Sequence, residues 1–119
     1  MHYFYPMAAY NEKLVDRIRE ALADIRRVKE KKMFRGLCFM VNGKMCVCVS
    51  HDEMMCRIDP EKSDDLLETN GCRPMMRNDK MIRGYIYVSE ERYKSRKDFM
   101  YWIELCLAFN KKVKAVKKK

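Results

Sequence analysis

The stretch that decides the fold is residues 33–49, which read Met-Phe-Arg-Gly-Leu-Cys-Phe-Met-Val-Asn-Gly-Lys-Met-Cys-Val-Cys-Val. Two apolar runs flank Asn42-Gly43, a dipeptide that readily takes the positive φ angles of a two-residue type I′ turn. The stretch therefore predicts a β-hairpin in which Val41 lies opposite Lys44. The register that follows pairs Phe39 with Cys46 and Leu37 with Cys48 on one face, and Cys38 with Val47 and Met40 with Met45 on the other.

Both faces of this predicted hairpin are mostly apolar. An antiparallel ribbon with one face in water normally alternates apolar and polar side chains. We therefore expect the hairpin to be central in its sheet and covered on both faces. Helices are the expected cover of one face, and a second protein chain could cover the other.

Length and composition indicate a single domain. The chain has 119 residues, and 48% of them are hydrophobic, which is enough to bury a core without metals or disulfides. No run of about 18 apolar residues predicts a membrane span, and the first residues do not resemble a signal peptide. The sequence therefore predicts a cytoplasmic protein that does not interact with membranes.

The remaining patterns predict three helices and further strands. The residues from 26 to 32 are strongly charged and are expected to connect the first helix to the hairpin. The predicted order is a helix at 11–27, the hairpin, a strand at 53–58, a helix beginning at Asp59-Pro60, strands at 72–77 and 81–88, and a helix beginning at Ser95. This order, α-β(3-4)-α-β(2)-α, favours an α+β fold of two layers, with a single antiparallel sheet and helices on one face.

The two ends of the chain have their own composition. Residues 1–6 lack periodicity and end in proline, so we interpret them as an extension, native or left from cloning, that precedes a domain at 7–112. Residues 113–119 form a lysine-rich tail. Six lysines between 111 and 119 contribute most of the net charge of +9, so the rest of the chain is only mildly basic.

Six cysteines occur, mostly among apolar residues at strand or helix spacing. A thiol in such surroundings behaves as a small hydrophobic group, so we expect reduced core cysteines. An alternative is a metal or small-ligand sensor built from Cys46, Cys48 and Cys56, whose soft sulfurs suit zinc or similar ions. Their spacing does not match a zinc knuckle, and no nucleophile–base pattern is evident. We predict no cofactor, no metal and no catalytic residue.

Two candidate surfaces remain. Eleven methionines are unusual for this length, and several lie near strands with aromatic residues, which is typical of an adaptable contact surface. The predicted interaction face consists of Phe34, Met40, Met45, Tyr85 and Tyr87, and its partner is another protein or a second copy of the chain. A nucleic-acid surface is the alternative, and its predicted contacts are Arg57, Arg73, Arg83, Lys117, Lys118 and Lys119.

Several segments together resemble a known family. They are Met7-Ala-Ala-Tyr-Asn-Glu-Lys-Leu, Lys32-Met-Phe-Arg-Gly-Leu-Cys-Phe-Met-Val-Asn-Gly, Gly71-Cys-Arg-Pro-Met, Lys80-Met-Ile-Arg-Gly-Tyr-Ile-Tyr-Val and Trp102. The chain is similar over most of its length to the N-terminal domain of the TfoX (Sxy) competence regulators, here as a stand-alone copy. The resemblance implies a secretion-chaperone-like α+β fold and a non-enzymatic role in transcriptional control of DNA uptake. Full-length regulators carry a second, C-terminal domain resembling helix-hairpin-helix DNA-binding units.

Overall fold

The computed structural model describes residues 10–33 and 36–113, which form one six-stranded antiparallel sheet and four helices. The predicted α+β fold with a single antiparallel sheet is confirmed. In chain order the elements are α1 (Glu12–Ala21), β1 (Val28–Met33), β2 (Gly36–Val41), β3 (Lys44–Ser50), β4 (Glu53–Arg57), α2 (Pro60–Leu66), β5 (Cys72–Arg77), β6 (Lys80–Val88), α3 (Glu90–Tyr93) and α4 (Arg96–Lys112).

The sheet has the strand order β1-β2-β3-β4-β6-β5. The hairpin strands β2 and β3 each have a neighbour on both sides, so the hairpin is interior to the sheet, as its apolar sequence predicts. The later hairpin of β5 and β6 also forms as predicted. Its turn residues Asn78 and Asp79 have φ angles of 52° and 64°, the left-handed values that a type I′ turn requires.

The main core lies between one sheet face and the helices. Trp102, Ile103 and Cys106 of α4 pack there with Ile18 of α1 and Phe39 of β2, and all five are at most 1% exposed. Side-chain caps fix where the helices begin, because Asn11 accepts from the Leu14 N–H and Ser95 from the Asp98 N–H. Both helices therefore begin where the sequence predicts a helix to begin. We call this side of the sheet the helix face.

The predicted hairpin register is wrong beyond the turn. Val41 lies opposite Lys44 and Met40 opposite Met45, as expected, but a β-bulge then shifts the pairing to Phe39 with Val47, Cys38 with Cys48 and Leu37 with Val49. Cys46 is the extra residue of this bulge. A bulge lets two successive side chains point to the same side. Cys46 and Val47 both join the helix-face core, and Cys48 moves to the other face.

The first helix is shorter than predicted. It ends at Ala21 instead of residue 27, and Arg27 has a φ of 61°, which a helix cannot include. The charged segment predicted as a connector forms the strand β1 and pairs along its whole length with β2. Charged side chains are tolerated there because β1 lies at the sheet edge, where they also discourage pairing with other chains.

The second helix is fixed to the sheet by a buried serine. Ser63 is fully buried, its Oγ donates to the Pro60 carbonyl at 2.9 Å, and it accepts from the Gly84 N–H at 3.1 Å. Asp59 caps this helix and Pro60 begins it, as predicted. Within residues 10–33 and 36–113, no helix is both long enough and apolar enough to cross a membrane.

Candidate interaction surface on the open sheet face

The face of the sheet opposite the helices buries a second, smaller cluster. Cys38, Cys48 and Met55 are at most 2% exposed there, although the cluster contains no helix residue. We call this side the open face. Half-buried methionines and tyrosines surround the three buried residues, namely Met33, Met40, Met45, Met75, Tyr85 and Tyr87.

Four of the five predicted interaction residues therefore lie together, and Phe34 lies outside the described residues. Strand alternation explains the grouping, because Tyr85 and Tyr87 lie opposite Arg57 and Met55 of the neighbouring strand, away from Ile86 and Val88 on the helix face. Sequence reasoning could find this group from period-two patterning alone.

The chemistry of the open face explains how it excludes water without a helix. Methionine has three rotatable bonds and a polarizable sulfur, so it can fold over a neighbouring side chain and fill an irregular gap. Met40 and Met45 lie opposite each other at the end of the hairpin and remain half-buried. The open face therefore has a buried centre and an adaptable, sulfur-rich surface around it.

The expectation that all cysteines are reduced is wrong for one pair. Cys38 and Cys48 form a disulfide across β2 and β3 on the open face. The β-bulge is the cause, because it places the two residues directly opposite each other, whereas the simple register assigns them to different faces. The disulfide links β2 and β3 covalently within the open-face cluster, next to the methionines.

The predicted metal-binding trio of Cys46, Cys48 and Cys56 does not assemble. Cys48 lies on the open face, and Cys106 of α4 takes its place beside the other two in the helix-face core. Hydrogen bonding to Cys106 and burial raise the pKa of the Cys46 thiol, and burial raises that of Cys106. Protonated thiols are poor metal ligands. Among the described residues, no group of three or more His, Cys, Asp or Glu side chains is arranged to hold a metal ion.

The predicted nucleic-acid arginines do not form one cationic surface. Arg73 pairs with both carboxylate oxygens of Glu53 at 2.6 and 3.0 Å, and Arg83 pairs with both oxygens of Asp64 at 2.7 and 3.2 Å. Each charge is therefore already neutralised, and Arg83 turns toward α2. The Arg57 guanidinium lies 5.6 Å from the centre of the Tyr85 ring. Lys117, Lys118 and Lys119 lie outside the described residues.

Sequence reasoning missed a contact that positions the hairpin against α4. The Lys44 Nζ donates to the carbonyl oxygens of Asn110 and Val113 at 2.7 and 2.6 Å. A cation at the carbonyl end of a helix is favourable, because those groups carry partial negative charge. No local signal could reveal this, since Lys44 and Asn110 are 66 residues apart.

Fold and surface together define a class: a small two-layer α+β domain with one helix-covered sheet face and one open face. The chain belongs to the TfoX N-terminal domain family, whose model matches residues 20–110. No curated protein and no solved structure gives a significant match.

Proposed function

We propose that this chain is a non-enzymatic protein-interaction module of the TfoX N-terminal type, which acts through its open face in the transcriptional regulation of DNA uptake. Membership in the family supports the regulatory context. The observation that carries the proposal is the open face itself, where half-buried methionines and tyrosines surround a buried centre.

The open face has the composition of a contact surface. Tyr and Met are enriched in protein interfaces, because Tyr supplies much apolar area at low conformational cost and Met adapts its shape to a partner. Arg73 adds a polar edge to this region, since its guanidinium lies 4.1 Å from the centre of the Tyr87 ring. An apolar centre with a polar rim is the usual anatomy of a protein–protein contact.

A second copy of the chain is the occupant that we favour. Two identical apolar faces cover each other in one symmetric contact, and such isologous pairs are the commonest oligomers. The four helices of the described residues pack on the opposite side of the sheet, so they leave this face uncovered. The dimer then assembles into a regulatory complex, and the helix layers of its two subunits face outward.

The shifted pKa values of Arg19 and Glu30 have a structural cause, which is the contact between these two side chains. Pairing with Glu30 raises the pKa of Arg19, and the same contact lowers the pKa of Glu30. The Arg19 guanidinium donates two hydrogen bonds to the Glu30 carboxylate, at 2.7 and 2.8 Å, and thereby joins α1 to β1. Surface pairs of this kind fix local geometry and perform no proton transfer.

The test is the molar mass in solution of two double variants, measured by light scattering across a concentration series. Met40→Lys with Met45→Lys places two charges on the open face and is expected to convert a dimer to a monomer. Met76→Lys with Met81→Lys is the matched control, because these methionines are 54% and 45% exposed at the far hairpin turn. The control is expected to remain dimeric.

Circular dichroism of both variants shows whether the fold survives. A wild-type chain that stays monomeric at every concentration would refute dimerisation through this face. Equal dissociation of the two variants would show that added charge, and not the open face, controls assembly.

A further inference from the structure

A cleft of about 730 Å³ lies at the tip of the central hairpin, and none of its lining residues belongs to the open-face cluster. Three segments form its walls: the connection between α1 and β1, the turn between β2 and β3, and the end of α4. This volume is in the range of about 300–1,000 Å³ that is typical of small-molecule sites. We call it the hairpin-tip cleft.

The charge of this cleft is strongly positive. Arg26, Arg27, Lys44 and Lys111 line it together with a single carboxylate, that of Asp24. The Lys44 ammonium is engaged by the carbonyl oxygens of α4, which leaves the other three cations. Within the described part of the chain, the ion pairs involve Arg19, Arg73 and Arg83, and none of them includes a cation of the cleft.

The cleft also offers apolar surface beside these charges. Ile25 is 36% exposed, and Leu107 is half-buried on the opposite wall. Ile25 lies within the helix predicted at 11–27, but α1 ends at Ala21 and Ile25 lines the cleft instead. Apolar walls with a few convergent charges are typical of sites for small amphipathic ligands.

A buried amide completes the lining. Asn110 is 5% exposed and its Nδ2 donates to the Val41 carbonyl at 3.3 Å. That contact uses one of its two N–H groups, and the side chain has no other partner among the described residues. An amide held in this way can donate to a ligand oxygen without losing rotamer freedom.

The backbone holds one cation of the cleft in an uncommon conformation. Arg27 has a φ of 61°, and its carbonyl accepts from the Asn42 N–H at 3.0 Å. This bond joins the residue before β1 to the hairpin turn. Two elements therefore fix the backbone position of Arg27. A non-glycine residue in this region is strained and persists only where its surroundings enforce it.

We propose that the hairpin-tip cleft binds a small organic anion with an apolar body. The anionic head, a carboxylate, sulfonate or phosphate, lies against Arg26, Arg27 and Lys111, and the body packs on Ile25 and Leu107. Guanidinium groups bind such oxyanions in paired hydrogen bonds. This inference is independent of the proposed contact through the open face.

The test is binding of anilinonaphthalene sulfonate, an aromatic sulfonate, followed by amide chemical shifts in an NMR titration of the full chain. We expect shifts clustered on the cleft walls. The variant Arg26→Gln, Arg27→Asn and Lys111→Gln is expected to bind about tenfold more weakly, because it loses charge-assisted contacts to the head. Asn at 27 keeps the left-handed backbone accessible.

The matched control removes the same charge elsewhere, through Lys62→Gln, Arg77→Gln and Lys97→Gln, three exposed residues that do not line the cleft. We expect its affinity to change less than about twofold, as for distant surface charges. Equal weakening of both variants, or shifts confined to the open face, would overturn the proposal.

Three competitors distinguish the ligand class. Benzoate and phenyl phosphate are both expected to displace the dye, and the tighter of the two identifies the head group. Toluene, which has the body without the charge, is expected not to displace it. A single-stranded oligonucleotide that binds the same three cations more tightly than the aromatic anions would assign the cleft to nucleic acid and reject a small-molecule site.

Discussion

The helix face and the open face of the sheet bury their side chains by different means. Helices cover the helix face, and its core contains large, rigid groups such as Trp102 and Phe39, which are fully buried. No helix of residues 10–33 and 36–113 contributes to the open-face cluster, yet Cys38, Cys48 and Met55 reach the same degree of burial. Small sulfur-containing side chains, a cross-strand disulfide and flexible neighbours replace the missing layer.

Under the proposed function, the helix face supplies the larger share of the stability and the open face supplies the contact. Rigid, close-packed groups gain the most free energy from burial and tolerate little change. Flexible thioethers gain less but can repack against a partner. The following predictions test that division, from the largest expected effect on the free energy of unfolding to the smallest.

Trp102→Ala tests the helix face. Its side chain is 0% exposed at the centre of the main core, so we expect a loss of about 4 kcal/mol, as for other buried aromatic truncations. Urea unfolding followed by circular dichroism measures it. A loss below about 1 kcal/mol would mean that α4 is not the principal cover of the sheet.

Met55→Ala makes the corresponding truncation on the open face. Met55 is 1% exposed, so the variant is expected to lose about 3 kcal/mol, as buried methionines do. The exposed Met76→Ala is the control and should cost little. If both methionine variants unfold alike, the open face has no core of its own.

Reduction of the Cys38–Cys48 bond is expected to cost about 2 kcal/mol, because the reduced chain gains freedom in the unfolded state. Alkylation of the denatured chain should modify Cys46, Cys56, Cys72 and Cys106 before reduction, and all six cysteines after it. The double variant Cys38→Ser and Cys48→Ser should not respond to reductant. Labelling of all six without reductant would contradict the bond.

Tyr93→Phe removes a partly buried hydrogen bond at the helix-face core. The Tyr93 hydroxyl donates to the Asp52 carbonyl at 2.6 Å, and its loss is expected to cost about 1 kcal/mol at neutral pH. Burial, with the nearby carboxylates of Glu90 and Asp52, raises the pKa of Tyr93 from 10.0 to about 12.

The unfolded chain therefore loses this proton more readily than the folded one. The contribution of Tyr93 to the free energy of unfolding is complete below pH 10.0 and declines as the pH rises toward 12. The difference in stability between wild type and Tyr93→Phe should shrink over that interval. A difference that stays constant with pH would show that Tyr93 ionises equally in both states.

Arg73→Gln tests the rim of the open face and should have the smallest effect, about 0.5 kcal/mol. The pair with Glu53 is well aligned, but the arginine side chain is 58% exposed, and solvent screens such contacts. A double-mutant cycle with Glu53→Gln isolates the pair. A coupling well above about 1 kcal/mol would mark the rim as a structural element.

Sequence reasoning predicted most elements because their signals are local. Asn42-Gly43 specifies its turn, Asp59-Pro60 begins a helix, and Ser95 caps another, each through bonds to residues a few positions away. The grouping of Tyr85 and Tyr87 on one face follows from strand alternation in the same way.

Other features could not be predicted, because distant residues decide them. The helical pattern extends through Ile25, yet α1 stops early because residues 28–33 gain more from pairing with β2. Unpaired cations at the hairpin-tip cleft are recognisable only when ion pairs elsewhere, such as Arg83 with Asp64, are known. Sequence spacing carries no information about such partners.

The sequence by itself determined the two-layer α+β class, the central hairpin and the apolar character of both its faces. Only the tertiary structure decided the β-bulge at Cys46, and with it the disulfide on one face and the cluster of Cys46, Cys56 and Cys106 on the other. The physical reason is that alternation along a strand is a local property. The choice to bury two successive residues on one side depends instead on the space that a distant helix leaves.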